Sequence, residues 1–201
     1  MLYEKGYVYH IKDEFFRVVK DNCLMANKEN GNYRPTYFCF RDEDTSLLWM
    51  IPMSTRIEKF QGIYDRQVKK YGNCIKIVLG EFDGKKAAFL LQNMFPITDY
   101  YLDHIHTKNG NPVPVNSEIQ KVVYQDFQKL RQLLKRNKNV VFPDVEKIEK
   151  TMLHELENRD PLSDPSIPKL EKENTPFNNL LIEIKKTDIT LKKVKHHDPE
   201  R

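Results

Sequence analysis

The sequence predicts an α+β fold, with hairpins folded into a small curved antiparallel sheet or open barrel and helices packed on it. Three observations lead there. Apolar runs of strand length are joined in pairs by turn-forming residues. Longer stretches repeat their apolar residues every three or four positions, the period of a helix with one buried face. The helical stretches follow the strands rather than alternating regularly with them, which is the order of an α+β chain.

Near the start, Asp13 is placed to cap a short helix whose apolar side carries Phe15, Val18 and Val19. Runs 36–40 and 47–51 flank the polar turn 42–45 and form a first hairpin. A helix follows, with Ile57, Phe60, Tyr64, Val68 and Tyr71 on its buried side, and Gly72 ends it. Runs 75–79 and 87–91 flank Asp83-Gly84, a pair that tolerates the positive φ of a primed turn, and form a second hairpin. A third is expected at Asn109-Gly110, between 104–107 and 112–115. The capping box Ser117-x-x-Gln120 opens a long helix that buries Ile119, Val122, Val123, Phe127, Leu130 and Leu134. After Pro143-Asp144 a last helix carries Val145, Ile148, Met152 and Leu156.

With 201 residues the chain has room for one ordinary domain and an appendage. Composition changes at Asn158. Residues 159–201 hold five of the 11 prolines and none of the glycines, so 1–158 is expected to be the folded domain and 159–201 an extended charged tail, ordered or disordered. Within that tail, 181–184 and 189–191 alternate like strands and could form a hairpin or extend another sheet. No apolar run approaches the length of a spanning helix, and the first six residues lack the pattern of a secretory signal, so a cytoplasmic location is expected. Cys23, Cys39 and Cys74 stand far apart with no Cys-x-x-Cys pair and read as reduced, mostly core-filling thiols.

Charge is uneven. Residues 56–76 carry six Lys or Arg against two acids, and 121–138 carry six against one, a bias that suits a polyanion such as nucleic acid. Nucleotide-binding glycine loops, the zinc-protease His-Glu-x-x-His and the Gly-x-Ser-x-Gly elbow are all missing from the sequence. The segment that stands out is 52–59, Pro-Met-Ser-Thr-Arg-Ile-Glu-Lys, at a strand-to-helix junction. Thr55-x-x-Glu58 reads as a capping box, and the N-terminus of the helix would attract a phosphate. Ser54 could donate to that phosphate, and Arg56 or Lys59 could neutralise charge growing on its oxygens. Upstream, the 28–35 cluster offers Lys28, Arg34 as a fork for two phosphate oxygens, and Tyr33 for base stacking or proton transfer. His104 and His106 share a strand face, where they could serve a metal or acid-base work. No acid or Cys at metal spacing accompanies them, so they are expected to be surface histidines.

Taken together these residues resemble the ToxN/CptN/AbiQ family of type III toxin–antitoxin endoribonucleases, most closely its CptN branch. The resemblance spans about residues 5–158. It runs through Gly6-Tyr7-Val8-Tyr9-His10-Ile11, Tyr33-Arg34-Pro35, the 51–59 junction, the 89–97 stretch ending Met-Phe-Pro-Ile, and the helices between Ile119 and Leu156. It implies a MazF/Kid-like fold, an SH3-like barrel elaborated by helices. It also implies metal-independent, cofactor-free RNA cleavage by 2′-OH attack, leaving a 2′,3′-cyclic phosphate. The family's hydroxyl pair falls on Ser54 and Thr55, and its upstream Tyr and cation fall near Tyr33 and Arg34. Where ToxN has Thr-Ser followed by Pro-Lys-Lys, this chain has Ser-Thr followed by Arg-Ile-Glu-Lys, so the second cation is either Arg56 or Lys59.

The implied partners are an antitoxin RNA of repeated pseudoknots, closed with the toxin into a cyclic assembly, and cellular or phage RNA as substrate. The implied role is phage defence by abortive infection. Lys28 and, on the long helix, Lys121, Lys129, Arg131, Lys135 and Arg136 are the residues expected to meet RNA phosphates. Two other function classes remain open, a non-catalytic RNA-binding module and a protein-interaction adaptor acting through the tail.

Overall fold

The computed structural model describes residues 3–29, 31–136 and 138–158. Along the chain come β1 (Val8–Ile11), α1 (Asp13–Val19), β2 (Lys28–Glu29), β3 (Asn32–Tyr33), β4 (Thr36–Arg41), β5 (Leu48–Ser54), α2 (Ile57–Tyr71), β6 (Val78–Phe82) and β7 (Lys85–Phe89). After them come β8 (Phe95–Ile97), β9 (Leu102–Ile105), β10 (Thr107–Lys108), β11 (Asn111–Pro112), α3 (Ser117–Lys135) and α4 (Val145–Asn158). The main sheet is antiparallel throughout and runs β6-β7-β5-β4-β1-β9, with β8 beside the first half of β5. Its end strands β6 and β9 do not pair with each other among the described residues, so the α+β expectation holds with an open sheet rather than a closed barrel.

Strand β5 is buried along its whole length, and the period-2 alternation of its side chains feeds both faces of the sheet. Leu48 and Met50 pack with Phe15 of α1, Phe95 of β8, and Ile148 and Met152 of α4. Trp49, Ile51 and Met53 pack on the other face with Val123, Phe127 and Leu130 of α3. Each such burial removes apolar surface worth roughly 2 kcal/mol, so the helices are held by the sheet more than by their own propensity. Helix α2 covers a third cluster, where Phe60 meets Ala88 and Leu90 beyond the end of β5.

The three expected hairpins are present, and Asp83-Gly84 and Asn109-Gly110 all have positive φ, from 51° to 79°. The second hairpin sits closer to its turn than expected, because a two-residue primed turn pairs the residues that flank it, Phe82 with Lys85. Strands β1, β8 and β9 carry no turn signal of their own. Their partners lie far away in sequence, as Val8 pairs with Tyr37 and Ile11 with Leu102.

Gly72 ends α2 as expected, but all three expected N-caps are corrected. Lys12, not Asp13, is the N-cap of α1, and it makes no side-chain cap bond. Because β5 continues through Ser54, α2 begins at Ile57 with Arg56 as its N-cap, and the Thr55 hydroxyl caps nothing. At α3 the Glu118 N–H donates to Asn116 Oδ1 at 2.8 Å, so Asn116, one place upstream and as good a capping residue, takes the role expected of Ser117. Gln120 instead donates to the Val115 carbonyl at 2.7 Å. Val18, Tyr71, Val122 and Leu156, expected on buried faces, are exposed, since they sit at the margins of apolar stripes wider than the sheet they cover. Of the thiols, Cys39 and Cys74 are buried and Cys23 is exposed, and burial pushes Cys39 up to about 12. The tail 159–201, with the strands expected at 181–191, lies outside the described residues.

Gly6 joins three distant segments: its N–H donates to Phe38 O at 3.0 Å, its carbonyl accepts from Val115 N–H at 2.9 Å, and its φ is +93°. A Cβ there would lie 2.9 Å from Gln120 Oε1, whereas at Gly110 (φ +79°) nothing lies within 4 Å. Gly110→Ala should therefore cost about 1 kcal/mol from backbone strain alone. Gly6→Ala should cost about 1 kcal/mol more through crowding, measured as the difference in urea unfolding free energy. Equal losses would show that Gln120 moves aside freely.

Candidate functional site

The C-terminal end of β5 forms one wall of a cleft of about 390 Å³. Met53 and Ser54 pair there with Phe89 and Ala88 of β7, which fixes the backbone before the turn into α2. Tyr33, Arg34, Ser54, Thr55 and Arg56 all line this cleft, although the first two lie about twenty residues upstream of the others. Lys59 is not among the lining residues; its ammonium lies 5.6 Å from the ring centroid of Phe60.

Arg34 is held on several sides. Its backbone N–H donates to Asn27 O at 2.6 Å, Nε donates to Ala26 O at 3.0 Å, Nη1 to Met53 O at 3.1 Å and Nη2 to Glu29 Oε2 at 3.2 Å. The side chain is only 10% exposed, so Arg34 ties the 26–34 segment to the carbonyl just before Ser54. Arg56 pairs with the other oxygen of Glu29 but is 58% exposed, so its fork is the one that can turn to a ligand. Two guanidinium groups against one carboxylate leave this wall positive. The Ser54 oxygen accepts from the Arg56 backbone N–H at 3.2 Å, which leaves its own O–H to donate. Thr55 is exposed at the rim.

Tyr33 is half-exposed, with the Lys28 ammonium 4.3 Å from its ring centroid. Asp13 accepts from Lys28 Nζ at 2.6 Å and from Asn27 Nδ2 at 2.8 Å, and these two bonds hold its carboxyl below the usual range. Lys28 is thus already committed to a carboxylate and to an aromatic face.

The same cleft holds residues that the sequence did not assign to the site. Asp83, seen only as a turn residue, and His106, expected on the surface, both line the cleft. His106 Nε2 is 3.3 Å from Asp83 Oδ2, and Lys108 Nζ is 2.7 Å from Asp83 Oδ1. Both partners hold Asp83 below its ordinary pKa, Lys108 first and His106 second. His10 of β1 stacks on His104 with centroids 4.5 Å apart, and it lies 5.8 Å from His106 and 6.3 Å from Tyr33. Its Nδ1 is buried without a hydrogen-bond partner among the described residues, and burial followed by repulsion from His104 and His106 pushes it down to about 4. His104 is exposed beside Asp103, in line with expectation, whereas His106 is partly buried, its side chain 23% exposed. The period-2 spacing of His104 and His106 was visible in the sequence; the third imidazole comes from a strand about a hundred residues away.

Neither a family model nor a curated protein matches the sequence. A solved structure does. The fold is similar to that of AbiQ, a lactococcal anti-phage endoribonuclease of the type III toxin–antitoxin system, at 17% identity and a TM-score of 0.37 over 74% of this chain and 79% of that one. At that identity the likeness carries no residue-by-residue correspondence.

Along α3, Lys121 pairs with Glu118 at 2.8 Å and Lys129 with Asp126 at 2.7 Å, both with ammonium groups more than half exposed. Such pairs contribute little stability and release their cations readily. Lys135 and Arg136 are exposed as well. Arg131 differs. Its Nη1 donates to Asp42 Oδ2 at 2.7 Å, its guanidinium lies 4.7 Å from the Trp49 ring centroid, and its side chain is 19% exposed. It is turned into the fold, a correction to its expected place on the RNA-facing side. Among the described residues no His, Cys, Asp and Glu group is arranged to hold a metal ion, and no helix is long and apolar enough to cross a membrane.

The low pKa of His10 has a sign that can be checked. Between the ordinary value of 6.5 and about 4, the unfolded chain takes up a proton that the folded imidazole refuses. Its contribution to stability is therefore complete above pH 6.5 and is lost as pH falls toward 4. Unfolding midpoints in denaturant should fall across that window in the wild type and fall less in His10→Gln. Parallel profiles would show that His10 is open to solvent.

Proposed function

We propose that this protein is an endoribonuclease toxin of the type III toxin–antitoxin class, cutting RNA by attack of a ribose 2′-OH on the adjacent phosphate. The observation that carries the reading is the convergence of Ser54, Thr55, Arg56, Arg34 and Tyr33 on one cleft, the same residues on which the family resemblance falls. A backbone phosphate seated there would receive the Ser54 O–H and the Arg56 fork, while Tyr33 offers a face for an adjacent base. As the 2′-oxygen attacks in line, negative charge grows on the non-bridging oxygens, where fixed donors stabilise it more than they stabilise the ground state. The products are a 2′,3′-cyclic phosphate and a 5′-OH. Arg34 acts mainly by holding the end of β5, and Thr55 contributes a hydroxyl at the rim.

In the same proposal the antitoxin is a small RNA of repeated pseudoknots that closes with the toxin into a cyclic assembly. It is held by Lys28, Lys121, Lys129, Lys135 and Arg136, and the released toxin cuts cellular or phage RNA in the cytoplasm as abortive infection. The nuclease domain is 1–158, with 159–201 appended to it.

Cleavage is the first test. Purified protein incubated with cellular RNA in EDTA should yield new ends carrying cyclic phosphate and 5′-OH. Ser54→Ala should cut at least about 100-fold more slowly, as for loss of one transition-state donor, while losing only about 1 kcal/mol of stability with its hydrogen bond to Arg56. Thr55→Ala should keep the wild-type melting temperature, since its hydroxyl caps nothing. RNA bound but left intact would instead make the protein an RNA-binding module.

The basic helix gives a second test. Reversing Lys121, Lys129 and Lys135 to Glu, with Arg131 kept, should weaken binding of a labelled pseudoknot RNA and flatten the dependence of log K on log salt by roughly 2 to 3 units. An unchanged slope would make α3 a merely solvated face.

A further inference from the structure

Two further lining residues of the cleft, His106 and Asp83, have a use that the proposed function leaves open. Cleavage by a 2′-OH needs a group to take its proton, and neither serine, threonine nor arginine is suited to that at neutral pH. His106 is positioned for it. Its backbone N–H donates to Val8 O at 2.8 Å and its carbonyl accepts from Val113 N–H at 3.2 Å, so β1 and the strand-like segment after β11 fix its main chain. Its ring packs against Phe82 at 5.0 Å between centroids, and its Nε2 is 3.3 Å from Asp83 Oδ2. Asp83 is itself anchored by Lys108 at 2.7 Å, in a turn whose φ of 51° fixes the aspartate's direction. A carboxylate at Nε2 holds the proton on that nitrogen and leaves Nδ1 as the acceptor, while stabilising the imidazolium that forms when Nδ1 takes up a proton. His106 and Asp83 line the same cleft as Ser54 and Arg56.

We propose that His106 is the general base of the cleavage step and that Asp83 is its positioning residue, an inference that rests on the endoribonuclease reading. The 2′-O–H bond breaks with its proton passing to His106 Nδ1, and the freed electron pair forms the O2′–P bond. The P–O5′ bond breaks, and the leaving 5′-oxygen is protonated from solvent water. His106 then returns its proton to solvent, so that the products are the cyclic phosphate and the 5′-OH with no atom gained or lost. The charged and titratable groups facing His106 are Asp83 with Lys108 behind it and His10 on β1; Arg34, Arg56, Lys85, Glu29 and Tyr33 share the cleft. A base acts only while it is free to accept a proton, so the rate should fall toward acid pH and show an acid limb.

Single-turnover cleavage of a labelled oligoribonucleotide across pH 5 to 8 (roughly the range in which a histidine titrates) tests this. His106→Ala should slow the wild-type rate by about 100-fold or more and flatten the acid limb, with RNA affinity changed little. Added imidazole should restore part of the lost rate. Asp83→Asn should slow cleavage by about 10-fold with RNA affinity unchanged, because the imidazole has lost the carboxylate that keeps the proton on Nε2. A loss of rate at unchanged affinity is not expected of a merely structural turn residue. If His106→Ala melts below the assay temperature, His106→Gln and Asp83→Asn serve in its place. Wild-type cutting that persists in the His106 variants with an unchanged acid limb, or an Asp83→Asn profile superimposable on the wild type, would overturn the assignment and leave the nuclease reading intact. A wild-type protein that cuts no RNA would overturn the nuclease reading itself.

Discussion

The Arg34 guanidinium joins pieces of chain that the sequence keeps apart. Through Ala26 O, Glu29 and Met53 O it ties the 26–34 segment to the last residues of β5. A mostly buried guanidinium with three of its donors engaged is costly to leave unpaired, so these partners are under strong pressure to stay together. The cleft depends on that constraint. Ser54, Thr55 and Arg56 lie beyond the tied carbonyl, and Tyr33 lies just before the arginine, so one side chain ties the end of β5 to the segment that carries Tyr33.

Beneath that clamp is the sheet. Because β5 is buried on both faces, its end cannot shift without disturbing the cores formed by α3 on one side and by α1 and α4 on the other. The opposing hairpin, β6 to β7, is joined to β5 through Ser54 and Ala88 and carries Asp83 at its tip. The two walls therefore belong to one hydrogen-bonded ladder. A charge-bearing substrate would meet a Ser54 hydroxyl whose backbone is set before it arrives, while the exposed Arg56 fork turns to it. Glu29 pairs with both Arg34 and Arg56 and offsets the repulsion between the two cations.

Local features were the readable ones. Primed turns announce themselves through Asp-Gly and Asn-Gly, helices through their period, and the Ser54 to Arg56 junction through its position between a strand and a helix. Strands β1 and β8 were not assigned from pattern, and β9 was caught only where it overlaps the 104–107 run, since each is short and its partner is remote, and the same holds for the histidine wall. His10 comes from the first strand and His106 from near the ninth, so no spacing rule joins them. Arg131 was misassigned for a related reason. Its helical position marks it as basic and outward, but Asp42, in a turn some ninety residues earlier, draws it inward onto Trp49. The N-caps were missed by one residue each because a strand that runs on, or an equally good capping residue next door, moves the start of a helix without changing its period.

The most direct measurement of the central claim is a crystal structure with a short RNA carrying a 2′-deoxy substitution at the cut site, which binds but cannot react. The account predicts a backbone phosphate within hydrogen-bond distance of Ser54 Oγ and the Arg56 fork, with the sugar's 2′ position turned toward His106. A phosphate bound on α3 with the cleft empty, or RNA seated with its scissile phosphate remote from Ser54, would contradict it.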